Sequence, residues 1–250
     1  MQEFDKKSVT DSAIDLGCET TLSPLKFLES ANQIVSLFER GLDRPNEIAG
    51  WHGTSVEALE RALLLGHLPS SSKGLSEQHA GNLYYFDAKP SDFTSDGRNL
   101  LILDGYPGAA RYAKFNAAYH FMIKEFGLDF SNHQHNLFVF SLHDEFNPRA
   151  RSFSEQILEQ LHRLGISEAT ARGVTAAARE RQGIVIAISH SAIHSYPSDH
   201  GDVVGVDKKL FVPDGLPFSH LSGIEPLGDG PYRYLELLQT MAQALSEPQS

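Results

Sequence analysis

The chain has 250 residues, 41% of them apolar, and a formal charge of −11 in which basic residues cluster only as the pairs Lys6-Lys7 and Lys208-Lys209. That composition is globular rather than disordered and is large enough for one sizeable domain, and the acidic balance argues against tight electrostatic capture of a long nucleic acid. The single cysteine, Cys18, excludes an internal disulfide, no apolar run approaches the length of a membrane span, and the start Met1-Gln2-Glu3-Phe4-Asp5 lacks the basic-then-apolar order of a secretory signal. A reducing, cytoplasmic setting is expected, either in the producing cell or in a host cytoplasm reached by injection without a cleavable signal.

Residues 1–22 are polar and without period, and they read as a flexible segment ahead of one domain over 23–250. Ser23-Pro24 offers an N-cap followed by proline at the first helical position, and Leu28, Ala31, Val35 and Phe38 recur at helical spacing, so a helix is expected over 24–41. Ile48-Ala49-Gly50-Trp51 reads as a short strand. A tight glycine turn and a second helix follow, with Thr54 and Glu57 at capping-box spacing and Gly66 placed for a C-terminal cap.

Residues 67–81 form a Ser/Gly-rich loop, Asn82–Asp87 an aromatic strand, and 87–106 a second irregular stretch; loops this long within one domain are usually functional or mobile. Pro107-Gly108 opens a helix with Tyr112, Phe115, Tyr119, Met122 and Phe126 along one stripe. A strand at 136–142 and two accessory helices at about 154–164 and 167–182 come next. The last third reads as strands over 183–188, 202–206 and 221–227 and a helix from Tyr232 to Leu245. Strands separated by helices early and following one another late predict an α+β fold with a mixed or antiparallel sheet.

Two stretches carry chemistry. Gly50-Trp51-His52-Gly53-Thr54-Ser55 sets an imidazole and a bare glycine backbone at the end of an apolar segment, before a helix start; Leu83-Tyr84-Tyr85-Phe86 and Ala109-Ala110-Arg111-Tyr112-Ala113 follow in order. Together they resemble the motifs of ADP-ribosyltransferases of the diphtheria-toxin and poly(ADP-ribose)-polymerase kind, over residues 48 to 227. The resemblance implies an ADP-ribosyltransferase-like β core with flanking helices and long loops. It also implies NAD as co-substrate without a metal, cleavage of the nicotinamide–ribose bond, and transfer of ADP-ribose to an acceptor, protein rather than nucleic acid, as toxins and effectors of this kind do.

Carried over by position, His52 bonds a ribose hydroxyl, Gly53 and Thr54 hold the nicotinamide end, and Tyr85 and Tyr112 sandwich its ring, with Tyr84 as the alternative if the strand register moves by one. Stacking a cationic ring on phenol faces is worth about 0.5 to 2 kcal/mol per face. The acid of the third motif falls on Asp202, one methylene shorter than the family's glutamate, and Glu225 and Asp199 are the neighbouring alternatives. The gap between Tyr85 and Tyr112 reads as an insertion over 89–106.

A different class of reading is a non-catalytic module that binds NAD, ADP-ribose or a peptide in a decayed site of this type. Taken singly, His52 reads as a backbone-bonded histidine, Tyr112 as core, and Asp202 as a turn residue. His133/His135 and His190/His194 lack a third ligand in register for a metal. A serine hydrolase lacks its Gly-x-Ser-x-Gly elbow, and Ser189 beside His190 on a strand would point apart from it. Neither a Walker loop nor a Gly-x-Gly-x-x-Gly dinucleotide fingerprint is present.

Overall fold

The computed structural model describes residues 22–70, 80–94, 104–126, 165, 183–200 and 208–228. The expected strands at 136–142 and 202–206, the helices at 154–164, 167–182 and 232–245, and Asp202 itself lie outside the described residues.

Helix α1 spans Pro24–Arg40 as its cap signals predict: Ser23 Oγ accepts from the Lys26 amide at 3.4 Å, and the Gly41 amide closes the last turn on Leu37 and Phe38. Strand β1 is longer than the sequence suggests, Ile48–Thr54 instead of 48–51. His52 and Gly53 therefore lie within the sheet, and there is no glycine turn after Trp51. The reason is the partner strand β4, Ile184–Ser189, which offers an antiparallel ladder reaching from Ile48 to Thr54.

The cap of helix α2, Val56–Leu65, is accordingly Ser55, whose Oγ accepts from Ala58 N at 3.2 Å, rather than Thr54. Gly66 ends that helix in the left-handed region at φ 77°, as its place in the sequence predicts. A short strand β2, His67–Leu68, follows, then β3, Asn82–Asp87, and α3, Gly105–Phe126, which opens two residues before Pro107. The remaining elements are α4 (His190–Ser195), β5 (Ser198–His200), β6 (Lys208–Phe211), β7 (Leu216–Pro217) and β8 (Leu221–Pro226).

Six strands make one sheet in the order β5-β6-β3-β1-β4-β8, all pairs antiparallel, and β2 pairs separately with β7. The architecture is α+β. Helices cover both faces, which is why β4 reads as the unbroken apolar run Ile184-Val185-Ile186-Ala187-Ile188, every member at 0% exposure. Ile184, Ile186 and Ile188 pack with Leu83, Tyr85 and the buried sides of α1 and α2, whereas Val185 and Ala187 pack with Trp51, Phe86 and α3. Each large apolar side chain so buried contributes about 1.5 to 3 kcal/mol over its exposed state.

The contact between α3 and the sheet is made by small residues. A methyl group on Gly53 would stand 2.0 Å from the Ala109 carbonyl oxygen and 2.6 Å from the Ala113 amide, so the helix backbone rests directly on β1. Ala109, Ala110 and Ala113 are all at 0% exposure along this seam. Among the described residues no helix is long and apolar enough to cross a membrane.

Candidate functional site

Strand β3 changes partner halfway. Its first part, Asn82–Tyr85, pairs with β6, and its last two residues pair with β1, Phe86 opposite Trp51 and Asp87 opposite Gly50. Past Trp51 the ladder between β1 and β3 ends, and the His52 ring takes the place of the next rung: its Nδ1 lies 2.7 Å from the Tyr84 carbonyl oxygen. A carbonyl only accepts, so Nδ1 carries the proton and Nε2 keeps its lone pair. Burial pulls the imidazole below its ordinary pKa and so favours the neutral ring, and the bond to the Tyr84 carbonyl opposes it in part. His52 retains partial exposure at the parting of the two strands.

The two tyrosines expected to form one sandwich are on opposite faces of the sheet. Tyr85 is 2% exposed in the α1/α2 layer, its ring lies where a Gly50 side chain would be, 2.4 Å from that position, and its hydroxyl meets Ser198 Oγ at 3.0 Å. Burial pushes the phenol's pKa up, with the Ser198 hydrogen bond lowering it and Asp87 raising it. Tyr112 belongs to the α3 side, its ring centroid 6.1 Å from Phe86 and 5.8 Å from Phe115, and burial pushes its pKa up to about 12. Side chains alternate along a strand, so the tyrosine of β3 that shares the side of Tyr112 and Phe86 is Tyr84, packed against the same cluster.

Gly53 and Thr54 follow His52 in β1, both buried. The Gly53 carbonyl accepts from Asn116 Nδ2 at 2.9 Å, and its missing side chain is accounted for by the approach of α3. Of the alternative acids, Glu225 stands opposite Val185 and accepts a hydrogen bond from Tyr106 Oη at 2.5 Å. Asp199 is exposed on β5 opposite Lys209, which is itself opposite Tyr84, so these three residues form a row across β5, β6 and β3 on one face. With strands about 4.8 Å apart, the acid stands about 10 Å from the Tyr84 backbone.

The stretch expected as an insertion over 89–106 is rooted in the core at both described ends. Asp92, 3% exposed, accepts from Trp51 Nε1 at 2.7 Å and from the Lys89 amide at 2.9 Å. Phe93 and Tyr106 flank the Trp51 indole at 5.6 and 5.5 Å, and Lys89 pairs with Asp104 across the segment's base. Nothing in the spacing of Pro90-Ser91-Asp92-Phe93 announces the bond to Trp51. Asn116 does carry a signal, since it continues the helical face of Ala109 and Ala113 that meets the sheet.

Residues 190–195 form a helical turn, not a continuation of the strand, and His194 Nδ1 donates to the His190 carbonyl at 2.6 Å. Ser189 is accordingly both the last residue of β4 and the cap of α4, and His190 belongs to the helix. No group of three potential metal ligands occurs among the described residues. The chain matches no protein-family model, no curated protein and no solved structure.

Proposed function

We propose that this chain is an NAD-dependent mono-ADP-ribosyltransferase whose pocket lies where β1 and β3 part. The observation that supports this reading is His52: a neutral imidazole at the opening between two half-sheets, fixed through Nδ1 to the Tyr84 carbonyl, with Nε2 left as an acceptor for a ribose hydroxyl. The order of the motifs supports it as well, with a capped helix directly after Gly53-Thr54.

In this proposal the ribose meets His52, which leaves β1 on the face of Tyr85 because its neighbours Trp51 and Gly53 both face α3. The nicotinamide ring crosses the parting of the strands to stack on Tyr84, with Tyr112 bounding that side and Tyr85 a core residue. The Gly53 carbonyl receives the carboxamide in exchange for Asn116. As the C1′–nitrogen bond breaks, its electron pair leaves with nicotinamide and positive charge spreads over the ribose ring, where a carboxylate lowers the barrier. Asp202 fills that role, or Asp199 in the row that contains Tyr84. The acceptor's nucleophilic atom then bonds C1′ and loses its proton to solvent or base.

Purified chain with adenine-labelled NAD in a cell extract is expected to release nicotinamide and label a protein, and His52→Ala is expected to stop both. Undiminished release by that variant overturns the assignment. NAD binding detected by saturation-transfer NMR without any release would instead identify the non-catalytic module.

A further inference from the structure

At the end of the sheet where β4 meets α4, three hydroxyl and imidazole groups form a chain. Ser189 Oγ lies 2.6 Å from Ser191 Oγ, and Ser191 Oγ lies 3.0 Å from Nδ1 of His220, which is carried on the 3-10 turn Phe218–His220. Either serine can donate to the other; in the arrangement that serves the imidazole, Ser191 donates to His220 Nδ1 and accepts from Ser189, whose Oγ is also approached by the Ala192 amide at 3.4 Å. Hydrogen bonds aligned in this way polarise one another. The Tyr196 ring meets His220 edge-on with centroids 5.4 Å apart and fixes its plane, and Ser191 is exposed to approaching molecules.

We infer that Ser191 is a nucleophile with His220 as its base, able to accept an acyl group from a small ester, at a site separate from the parting of β1 and β3 and independent of the function proposed there. A serine hydroxyl within hydrogen-bond reach of an oriented imidazole is the arrangement that acyl transfer requires. Ser191 Oγ bonds the ester carbonyl carbon while its proton moves to His220 Nδ1. The ester carbon–oxygen bond breaks, and the leaving alkoxide takes that proton. Water then repeats the sequence, giving its proton to Nδ1 and its oxygen to the acyl carbon, and the carboxylic acid departs as Ser191 recovers its hydrogen. Ser189 Oγ, 2.6 Å from Ser191 Oγ, holds that hydroxyl beside the imidazole. The turn that carries His220 also lines a groove of about 410 Å³ against α1, bounded by Asn32, Gln33, Arg40, Phe218, Ser219 and Leu221.

The full chain is incubated with a fluorophosphonate probe and analysed by intact mass and peptide mapping. One adduct on Ser191 is expected, absent from Ser191→Ala and from heat-denatured protein, and formed about 100-fold more slowly in His220→Gln, in keeping with the loss of a general base. Ser189→Ala is expected to keep the adduct and slow its formation about tenfold. Circular dichroism establishes that each variant is folded, and His220→Ala replaces His220→Gln if the latter is not. No adduct on the native chain, an adduct that persists in Ser191→Ala, or equal rates with and without His220 overturns the inference.

Discussion

His52 holds the Tyr84 carbonyl across the point where β1 and β3 cease to pair, Nδ1 to oxygen 2.7 Å. One side chain thus does what a strand ladder would otherwise do, and its second nitrogen is left as an acceptor. The bond ties the orientation of His52 to the backbone of the residue whose ring is proposed to stack on nicotinamide.

The protonation state follows from that geometry. Burial lowers the folded-state pKa below the ordinary 6.5, so between 6.5 and the lowered value the unfolded chain binds more protons than the folded one. Stability is complete above 6.5 and falls as pH falls through that window. His120, also lowered by burial first, with Glu57 raising and Arg61 lowering it, adds a contribution of the same sign. Nitrogen-detected NMR at pH 7.5 is expected to find His52 neutral and protonated at Nδ1. Denaturant unfolding of His52→Gln is expected to have a shallower dependence between pH 7 and 5 than the native chain; equal slopes contradict the buried neutral ring.

The two adjacent tyrosines of β3 separate the site from the core. Tyr85→Phe removes a hydroxyl bonded to Ser198 and is expected to cost about 1 kcal/mol of stability with nicotinamide release within twofold of native. Tyr85→Ala is uninformative about the site, because emptying a position 2% exposed costs about 3 to 5 kcal/mol in its own right. Tyr84→Ala, on a partly exposed ring, is expected to raise KM for NAD about tenfold, the order of one lost stacking face. A reversed pattern, with Tyr85→Phe impaired and Tyr84→Ala normal, restores Tyr85 to the pocket.

How far the sequence disclosed this arrangement depends on which physical signal each residue carries. Local signals read well: Ser23, Pro24 and Gly66 set helix ends through bonds to their own neighbours, and the structure has those ends. Non-local ones did not. The length of β1 is decided by β4, more than 130 positions away, so His52 and Gly53 lie inside a sheet that the local pattern ends at Trp51. The choice between Tyr84 and Tyr85 is a question of strand parity, which flips with a single residue, and both are aromatic. The face of α3 that meets the sheet is built from alanines, weakly apolar on any scale, and the aromatic stripe beside it is the stronger apolar signal. Ser191 and His220 meet only because a helical turn and a 3-10 turn adjoin at one end of β4 and β8.

The Asp92 carboxylate anchors the segment after β3. Asp92→Ala strands the Trp51 indole N–H and the Lys89 amide without that acceptor in a buried site. Each buried donor left unmet costs about 1 to 3 kcal/mol, so a loss of about 3 kcal/mol is expected by chemical denaturation. Tryptophan fluorescence provides a local readout, since Trp51 is the chain's single tryptophan. An emission maximum and a midpoint both unchanged in Asp92→Ala contradict the anchoring role.

Gly53 cannot itself be used to ask whether its carbonyl receives a carboxamide. Any side chain there collides with the backbone of α3, 2.0 Å from Ala109 oxygen, and Gly53→Ala is expected to lose several kcal/mol whatever the site binds. Asn116 gives a cleaner handle, because its amide already occupies the carbonyl with the donor group that nicotinamide would bring. Removing it in Asn116→Ala gives up one hydrogen bond, about 1 kcal/mol of stability, and leaves the acceptor open. If the two amides compete, KM for NAD falls severalfold in this variant while kcat holds, and free nicotinamide inhibits it more strongly than the native chain. If Asn116 only braces α3 against β1, the stability loss stays and KM and nicotinamide inhibition do not move, which removes Gly53 from the proposed pocket.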